Sequence, residues 1–377
     1  MNSRLGALLV AVCLVTVRAD APACRDRFLW PFSNKSIWNT PIGSAAVFVP
    51  ANIYHTAAPT QFHNDQDLIV RAFENDPETP WMDQGDWGPS DKCAVVGPNV
   101  LTIPFPHNFT SGSREAPPGQ INNNAAGLLL VDNRTLVQMQ PLYRCEPGGP
   151  ILARWGPDRG CPNPFPNVTD ILGDGALGSH GGSGLSGIGG TIRVGEFSSD
   201  APISHALKIE LYAHQYYYGV KPLHPITKEN QGRTQYVWPA TGSDSYTWDT
   251  KVPTMMYNGT NPALTQGSLL AIPQSIDVPT KTKIGDKLKQ ALTQYGAYIV
   301  DDTASDMAAI CMEPAVNDEL VDNFGINMAY PNGLKSGPVF DDLVALFQSL
   351  HVVTNNSPTS IGGGGDPLAP YAPPICE

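Results

Sequence analysis

A mainly β fold is what this sequence predicts: an antiparallel β-sandwich or jelly roll, stapled by disulfides, with a few helices in the C-terminal third. Three observations predict it. Short apolar runs recur between turn residues along most of the chain. Gly and Pro number 36 each, whereas charged residues make up only 15%. A glycine-rich loop, GSHGGSGLSGIGG (Gly178–Gly190), runs into one long alternating segment, HALKIELYAHQYYY (His205–Tyr218). Many short strands punctuated by Gly, Pro and Asn are the pattern of sandwiches and jelly rolls.

Taken in order, residues 1–19 read as a signal peptide. Arg4 supplies the charged start, Leu5–Val17 the apolar core and Arg18–Ala21 the small-residue exit. That run is too short to span a bilayer, so a secreted, extracellular chain with no membrane span is expected. Phe28–Ile53, with two Trp and three Pro, reads as irregular structure clamped by aromatics. Strand-like runs follow, among them Leu68–Ala72, Val100–Ile103, Ile151–Trp155, Thr191–Val194, Leu207–Tyr217, Tyr236–Trp238, Ser268–Ile272 and Ala297–Val300. Leu128–Met139 reads as a hairpin turning at Asp132-Asn133. Ile284, Leu288, Leu292 and Tyr295 keep helical spacing up to a stop at Gly296, and Phe340-Asp341-Asp342 opens a second helix. This gives one β-rich domain, 20–354, and a Gly/Pro-rich tail, 355–377, held by Cys376.

Cys13 leaves with the signal, so Cys24, Cys93, Cys145, Cys161, Cys311 and Cys376 remain. An even number in an exported chain predicts three disulfides, with Cys145–Cys161 the favoured local bridge. Sequons at Asn34, Asn108, Asn133, Asn167, Asn258 and Asn355 predict a glycoprotein. Without Arg4 and Arg18 the chain holds 21 basic and 35 acidic residues, a formal charge of −14. A field of that sign repels nucleic acid and anionic membrane.

On an unbroken strand Leu207, Ile209, Leu211 and Ala213 face one way and Lys208, Glu210, Tyr212, His214 and Tyr216 the other. A base, an acid, an imidazole and two phenols in a row would suit the floor of a sugar cleft. Tyr212 and His214 are the candidate acid and base. Glu210, Glu196 and Asp301 form the alternative carboxyl set; a glycosidase places such a pair roughly 5–5.5 Å or 6.5–9.5 Å apart. Lys208, His180, His205 and Tyr216 are candidate substrate contacts. Seven Trp, including Trp30, Trp38, Trp81 and Trp238, offer stacking platforms. His63–Asp67 (HNDQD) is a weak metal-ligand pattern. HExxH, CxxC, GxxxxGK[ST] and GxSxG are all absent, so no cofactor or metal is expected, and a serine hydrolase using Ser179, Ser183 or Ser186 is a minor alternative.

Lys208-x-x-x-Tyr212 resembles the strand carrying the catalytic Tyr of jelly-roll alginate lyases, although Gln215 stands one position beyond that pattern. More of the chain resembles an uncharacterised family of exported, mainly bacterial proteins. The resemblance runs through Leu128–Asp132, Gly184–Glu196, Ser204–Lys208 with its HALK string, YVWPA at Tyr236–Ala240, and Leu292–Asp301. It implies no established activity but directs attention to Glu196, His205 and Asp301. The function expected is action on an extracellular polysaccharide or glycan, as a glycoside hydrolase or polysaccharide lyase. The alternative is a non-catalytic wall, matrix or glycan-binding protein.

Overall fold

The computed structural model describes residues 24–83, 93–94, 97–111, 125–154, 156–157, 164–165, 167–219, 235–244, 247, 253–303 and 305–376. The signal segment, Cys161, Trp87, Trp155 and Trp248 lie outside them. Strand outweighs helix, 28% to 14%. The central sheet has seven strands in the order β1 (Phe48–Pro50), β17 (His351–Val353), β14 (Leu269–Ala271), β15 (Ala297–Asp302), β13 (Leu207–Leu211), β16 (Ala308–Met312) and β2 (Phe62–Gln66). Pairs β13–β15 and β16–β2 are parallel, and the others are antiparallel. The all-antiparallel expectation is therefore corrected here, and the two smaller four-stranded sheets each hold one parallel pair as well, Leu68–Arg71 with Ala126–Leu129 and Glu78–Asp83 with Ile151–Ala153.

One face of the sheet carries Leu207, Ile209, Leu211, Ile299 and Ile310. It is covered by helices α2 (Lys283–Gln294), α3 (Pro314–Phe324) and α4 (Pro338–Gln348), which contribute Leu288, Leu320 and Leu346. The amphipathic spacing read from the sequence produces α2. The Thr282 hydroxyl caps it by accepting the Gly285 N–H at 3.0 Å, and Gly296 ends it at φ 77°. A short helix, α1 (Ala213–Tyr216), follows β13 directly, so helix is not confined to the last third.

The opposite face carries Tyr298, Val300 and Cys311 and packs on Trp38, Leu185 and Ile188. Both faces of β13 are thus buried along its whole length. Two four-stranded sheets meet over a further core containing Val70, Trp81, Leu128, Met139 and Ile151. They are β12 (Asn167–Asp170), β7 (Thr135–Met139), β6 (Ala126–Leu129), β3 (Leu68–Arg71), and β5 (Asn99–Pro104), β4 (Glu78–Asp83), β9 (Ile151–Ala153), β8 (Leu142–Tyr143). The pair β10 (Gly156–Pro157) and β11 (Pro164–Phe165) completes the strands among the described residues. The expected hairpin is β6–β7, with Asn133 at φ 57° and Asp132 accepting from two backbone N–H groups.

Two disulfides are present among the described residues, Cys24–Cys376 and Cys93–Cys145. The first ties the two ends of the domain together, beside a parallel bridge between Arg25 and Ile375. The second overturns the expected Cys145–Cys161 bridge. Cys311 is not in a disulfide: it is a buried free thiol on β16.

Candidate functional site

The chemistry gathers on the loop-covered face of the central sheet, where four neighbouring strands each contribute. Cys311 on β16 lies level with Asp65 on β2. Glu210 on β13 lies level with Asp301 on β15, because the β13–β15 register shifts by one residue between Ile209 and Glu210. Such an irregularity re-aims a side chain. Val300 faces the loop side, and strict alternation would turn Asp301 away from it. The shift brings Asp301 to the same centre as Glu210.

The glycine-rich loop is the lid of this centre, and all of it is buried. Gly182 and Gly184 adopt φ of 60° and 71°, which glycine tolerates without a Cβ clash. A Cβ on Gly181 would sit 2.5 Å from Asp301 Oδ2. This close approach lets the loop push His180 inward, with 1% of its surface exposed. The His180 Nε2 atom lies 3.6 Å from Asp65 Oδ2, 3.7 Å from Asp67 Oδ1 and 3.6 Å from Cys311 Sγ. Its Nδ1 atom lies 3.8 Å from Asp301 Oδ2. Lys208 is sealed beneath: its ammonium bonds Asp67 Oδ2 at 2.7 Å and the carbonyls of Ser186 and Gly187 at 3.1 Å.

Burial sets the protonation of the group. It pushes His180 well below its usual value, helped by Lys208, so the imidazole is neutral. Burial raises Asp65, against the pull of Glu210 and Lys208. It raises Glu210 well above the carboxylate range, with the charges of Asp65 and Asp301 adding to it. Glu210 therefore holds the proton of its hydrogen bond to Asp65. Asp67 is pushed up to about 7 by burial, with Lys208 opposing. The Cys311 thiol is raised well above its usual value, first by burial.

A second trio, Asp244, Asp301 and Asp302, adjoins this group, with one oxygen of each within 4.8 Å of the others. All three are half-buried. The Tyr257 hydroxyl donates to Asp244 Oδ2 at 2.6 Å, and Gln266 Nε2 donates to the same atom at 3.3 Å. Burial raises Asp301 well above the carboxylate range, and Asp244 and Asp302 add to that. The side chains of Asp65 and Asp301 keep 23% and 14% exposure, so the centre reaches solvent at these two points.

Of the expected site residues, Lys208, Glu210, His180 and Asp301 come together here. Lys208 and His180 are sealed, which removes them as direct substrate contacts. Tyr212, His214 and Tyr216 do not join them, because β13 ends at Leu211 and the chain turns into α1. Tyr212 packs toward the helix-side core and donates to the Thr254 carbonyl at 3.1 Å. His214 Nδ1 bonds the Met256 carbonyl at 2.7 Å. Tyr216 is buried against Tyr54. Tyr216 helps line a different feature, a cavity of about 460 Å³ shared with Asn52, Tyr54, His55, Gln215 and Asn261. Glu196 and His205 form their own pair, with His205 Nε2 3.1 Å from Glu196 Oε1.

The three loop serines are structural ties. Ser179 donates to the Met139 carbonyl at 3.0 Å, Ser186 donates to Gln138 at 3.1 Å, and Ser183 accepts from the Leu185 N–H at 3.2 Å. Trp38 and Trp81 are core residues, while Trp30 and Trp238 are half-buried. Sequence reasoning missed Asp244 and Cys311 as members of the centre, weighed Asp302 only beside Asp301 as a carboxyl at a strand end, and saw Asp65 and Asp67 only as part of the HNDQD pattern. No protein-family model, curated protein or solved structure matches this chain.

Proposed function

We propose that this chain is a secreted glycoprotein that hydrolyses an extracellular polysaccharide, with Asp301 as the reacting carboxyl and Asp244 or Asp302 as its partner. The observation that carries the reading is the trio itself: three carboxyl groups, half-buried, each with an oxygen within 4.8 Å of the others. Glycoside hydrolysis needs one carboxylic acid and one carboxylate beside the scissile bond, and the closer spacing, roughly 5–5.5 Å, belongs to retention of configuration. Tyr212 and His214, which a β-eliminating lyase would use, are tied to the Thr254 and Met256 carbonyls at 3.1 and 2.7 Å. The expected export signal and sequons support an extracellular polymer as substrate.

A second reading, a non-catalytic glycan-binding or matrix protein, is favoured by the sealing of Lys208, Asp67 and His180, each no more than 1% exposed. One screen separates the two. The purified protein is incubated with neutral and uronate-containing polysaccharides, and both reducing ends and unsaturated products are followed. Hydrolysis releases reducing ends alone, and Asp301→Asn abolishes them. Unsaturated products would replace this reading with a lyase, and binding without turnover would replace it with the matrix protein.

A further inference from the structure

We infer that the inner part of the centre is a binding site for a divalent transition-metal cation of the zinc type, with Asp65, His180, Glu210 and Cys311 as its protein ligands. One ligand atom from each lies within 4.8 Å of all the others. His180 Nε2 is 3.6 Å from both Asp65 Oδ2 and Cys311 Sγ, and those two are 4.0 Å apart. Tetrahedral zinc, with bonds of roughly 2.0–2.3 Å, spaces its ligand atoms about 3.3–3.7 Å apart. The Asp65, His180 and Cys311 atoms need to close by no more than a few tenths of an ångström, and Glu210, within 4.8 Å of all three, swings in to complete the set. A thiol, an imidazole and two carboxyls also match the borderline softness of such a cation, whereas calcium or magnesium takes oxygen alone.

A separate observation points to a ligand. Two atoms in the centre are buried without a hydrogen-bond partner, His180 Nδ1 and Asp67 Oδ1, on side chains 1% and 0% exposed. Buried polar atoms are ordinarily satisfied, so such a gap calls for an explanation. A cation at His180 Nε2 fixes the proton on Nδ1 and turns that edge toward Asp301 Oδ2, 3.8 Å away. A carboxylate behind a metal-bound histidine is the usual supporting arrangement. Charge agrees with this. Asp65, Asp67, Glu210 and Asp301 surround a single described ammonium, Lys208, whose bonds go to Asp67, Ser186 and Gly187. On binding, the cation takes the place of the proton shared by Asp65 and Glu210 and of the thiol proton of Cys311; these protons leave to solvent.

This inference shares a centre with the hydrolase reading but needs no turnover to test. The full-length mature protein, freed of metal by a chelator, is titrated with Co²⁺ and then with Zn²⁺. The expected result is one Co²⁺ per chain with thiolate-to-cobalt absorption in the near ultraviolet, displaced by Zn²⁺. Cys311→Ser removes that absorption. His180→Gln weakens Zn²⁺ binding at least about 100-fold, a larger loss than a supporting residue gives. Asp302→Asn leaves both unchanged. The wild-type spectrum carries the test even where a variant fails to fold. Absence of Co²⁺ binding, or binding without the thiolate band, overturns the inference. So does binding abolished by Asp302→Asn but not by Cys311→Ser, which would place the ion in the outer trio. A chain that binds no Co²⁺ yet hydrolyses glycan loses this inference alone; one that binds Co²⁺ and hydrolyses nothing loses only the hydrolase reading.

Discussion

The ammonium of Lys208 lies 2.7 Å from Asp67 Oδ2, with neither side chain exposed to solvent. The pair fixes the glycine loop to the sheet, because Lys208 also holds the carbonyls of Ser186 and Gly187 and Asp67 accepts from Thr191 at 2.6 Å. Removing one member of a buried pair costs about 3–5 kcal/mol, since the remaining group has lost water and partner together. Lys208→Met should therefore destabilise by about 3 kcal/mol, the lower end, because Asp67 already sits near neutrality and can take up a proton. Urea unfolding measures this. A loss below about 1 kcal/mol would show that the loop is held by something else.

Gly181→Ala probes position rather than stability. The new Cβ meets the tip of Asp301, which can swing aside, so the fold should lose only about 1 kcal/mol. The carboxyl would move by an ångström or so, and misplacement on that scale costs about 100-fold in rate. Hydrolysis should fall that far while the unfolding midpoint barely changes. Unaltered turnover in a well-folded variant would remove Asp301 from the chemistry.

Much of the architecture was legible where period and punctuation agreed. The α2 pattern, its Gly296 stop and the β6–β7 hairpin are all local signals. The 205–218 segment misled because alternation continued past the point where the strand ends. Leu211 closes β13, yet Tyr212, His214 and Tyr216 keep a two-residue spacing that a four-residue helix also tolerates. Alternation misled in a second way: Lys208 and Glu210 look solvent-facing, but both are buried among partners supplied by β2, β16 and the loop. Those partners are remote in sequence. Asp65 and Cys311 are 246 positions apart and meet only through a parallel strand pair, and the shift that aims Asp301 leaves no mark in composition.

Glu196 and His205 make a pH-dependent contribution to stability. Burial works against both charges, but each partner's charge and hydrogen bond prevail, lowering Glu196 and raising His205. The raised histidine stabilises fully below its unfolded value, 6.5, and loses that contribution as pH rises through its folded value. The lowered glutamate stabilises fully above 4.5 and loses it as pH falls through its folded value. The gap in melting temperature between wild type and Glu196→Gln should be widest between these limits and narrower at about pH 9. A gap that widens on the alkaline side would contradict the assignment.

The Asn355 sequon is occupied by the fold itself. Its Nδ2 donates to the Ala45 and Gly363 carbonyls at 3.0 and 2.9 Å, and its Oδ1 accepts from the Val47 N–H at 2.9 Å. A glycan on that nitrogen replaces one of its two hydrogens, so at least one donation is lost and the sugar must be accommodated beside the other. Asn34, Asn108 and Asn258 are exposed and should carry glycans, whereas peptide mapping should find Asn355 bare. Asn355→Ala should cost about 1–3 kcal/mol for the three bonds. Full glycosylation at Asn355 in a folded protein would refute the assignment.

The decisive contrast for the chemistry is between two variants. Tyr212→Phe with His214→Ala removes the phenol and imidazole that the linear pattern favours. Both groups bond backbone carbonyls beyond α1, so the double variant should hydrolyse glycan within about threefold of wild type, the change expected of groups outside the transition state. Asp301→Asn removes a carboxyl from the trio without changing its size, and loss of a general acid or base costs about 100- to 10,000-fold. Reducing-end release under identical conditions compares them directly. If the double variant is the dead one and Asp301→Asn is active, the chemistry belongs at the start of α1, with Tyr212 and His214 as acid and base in place of Asp301 and its partner carboxyl.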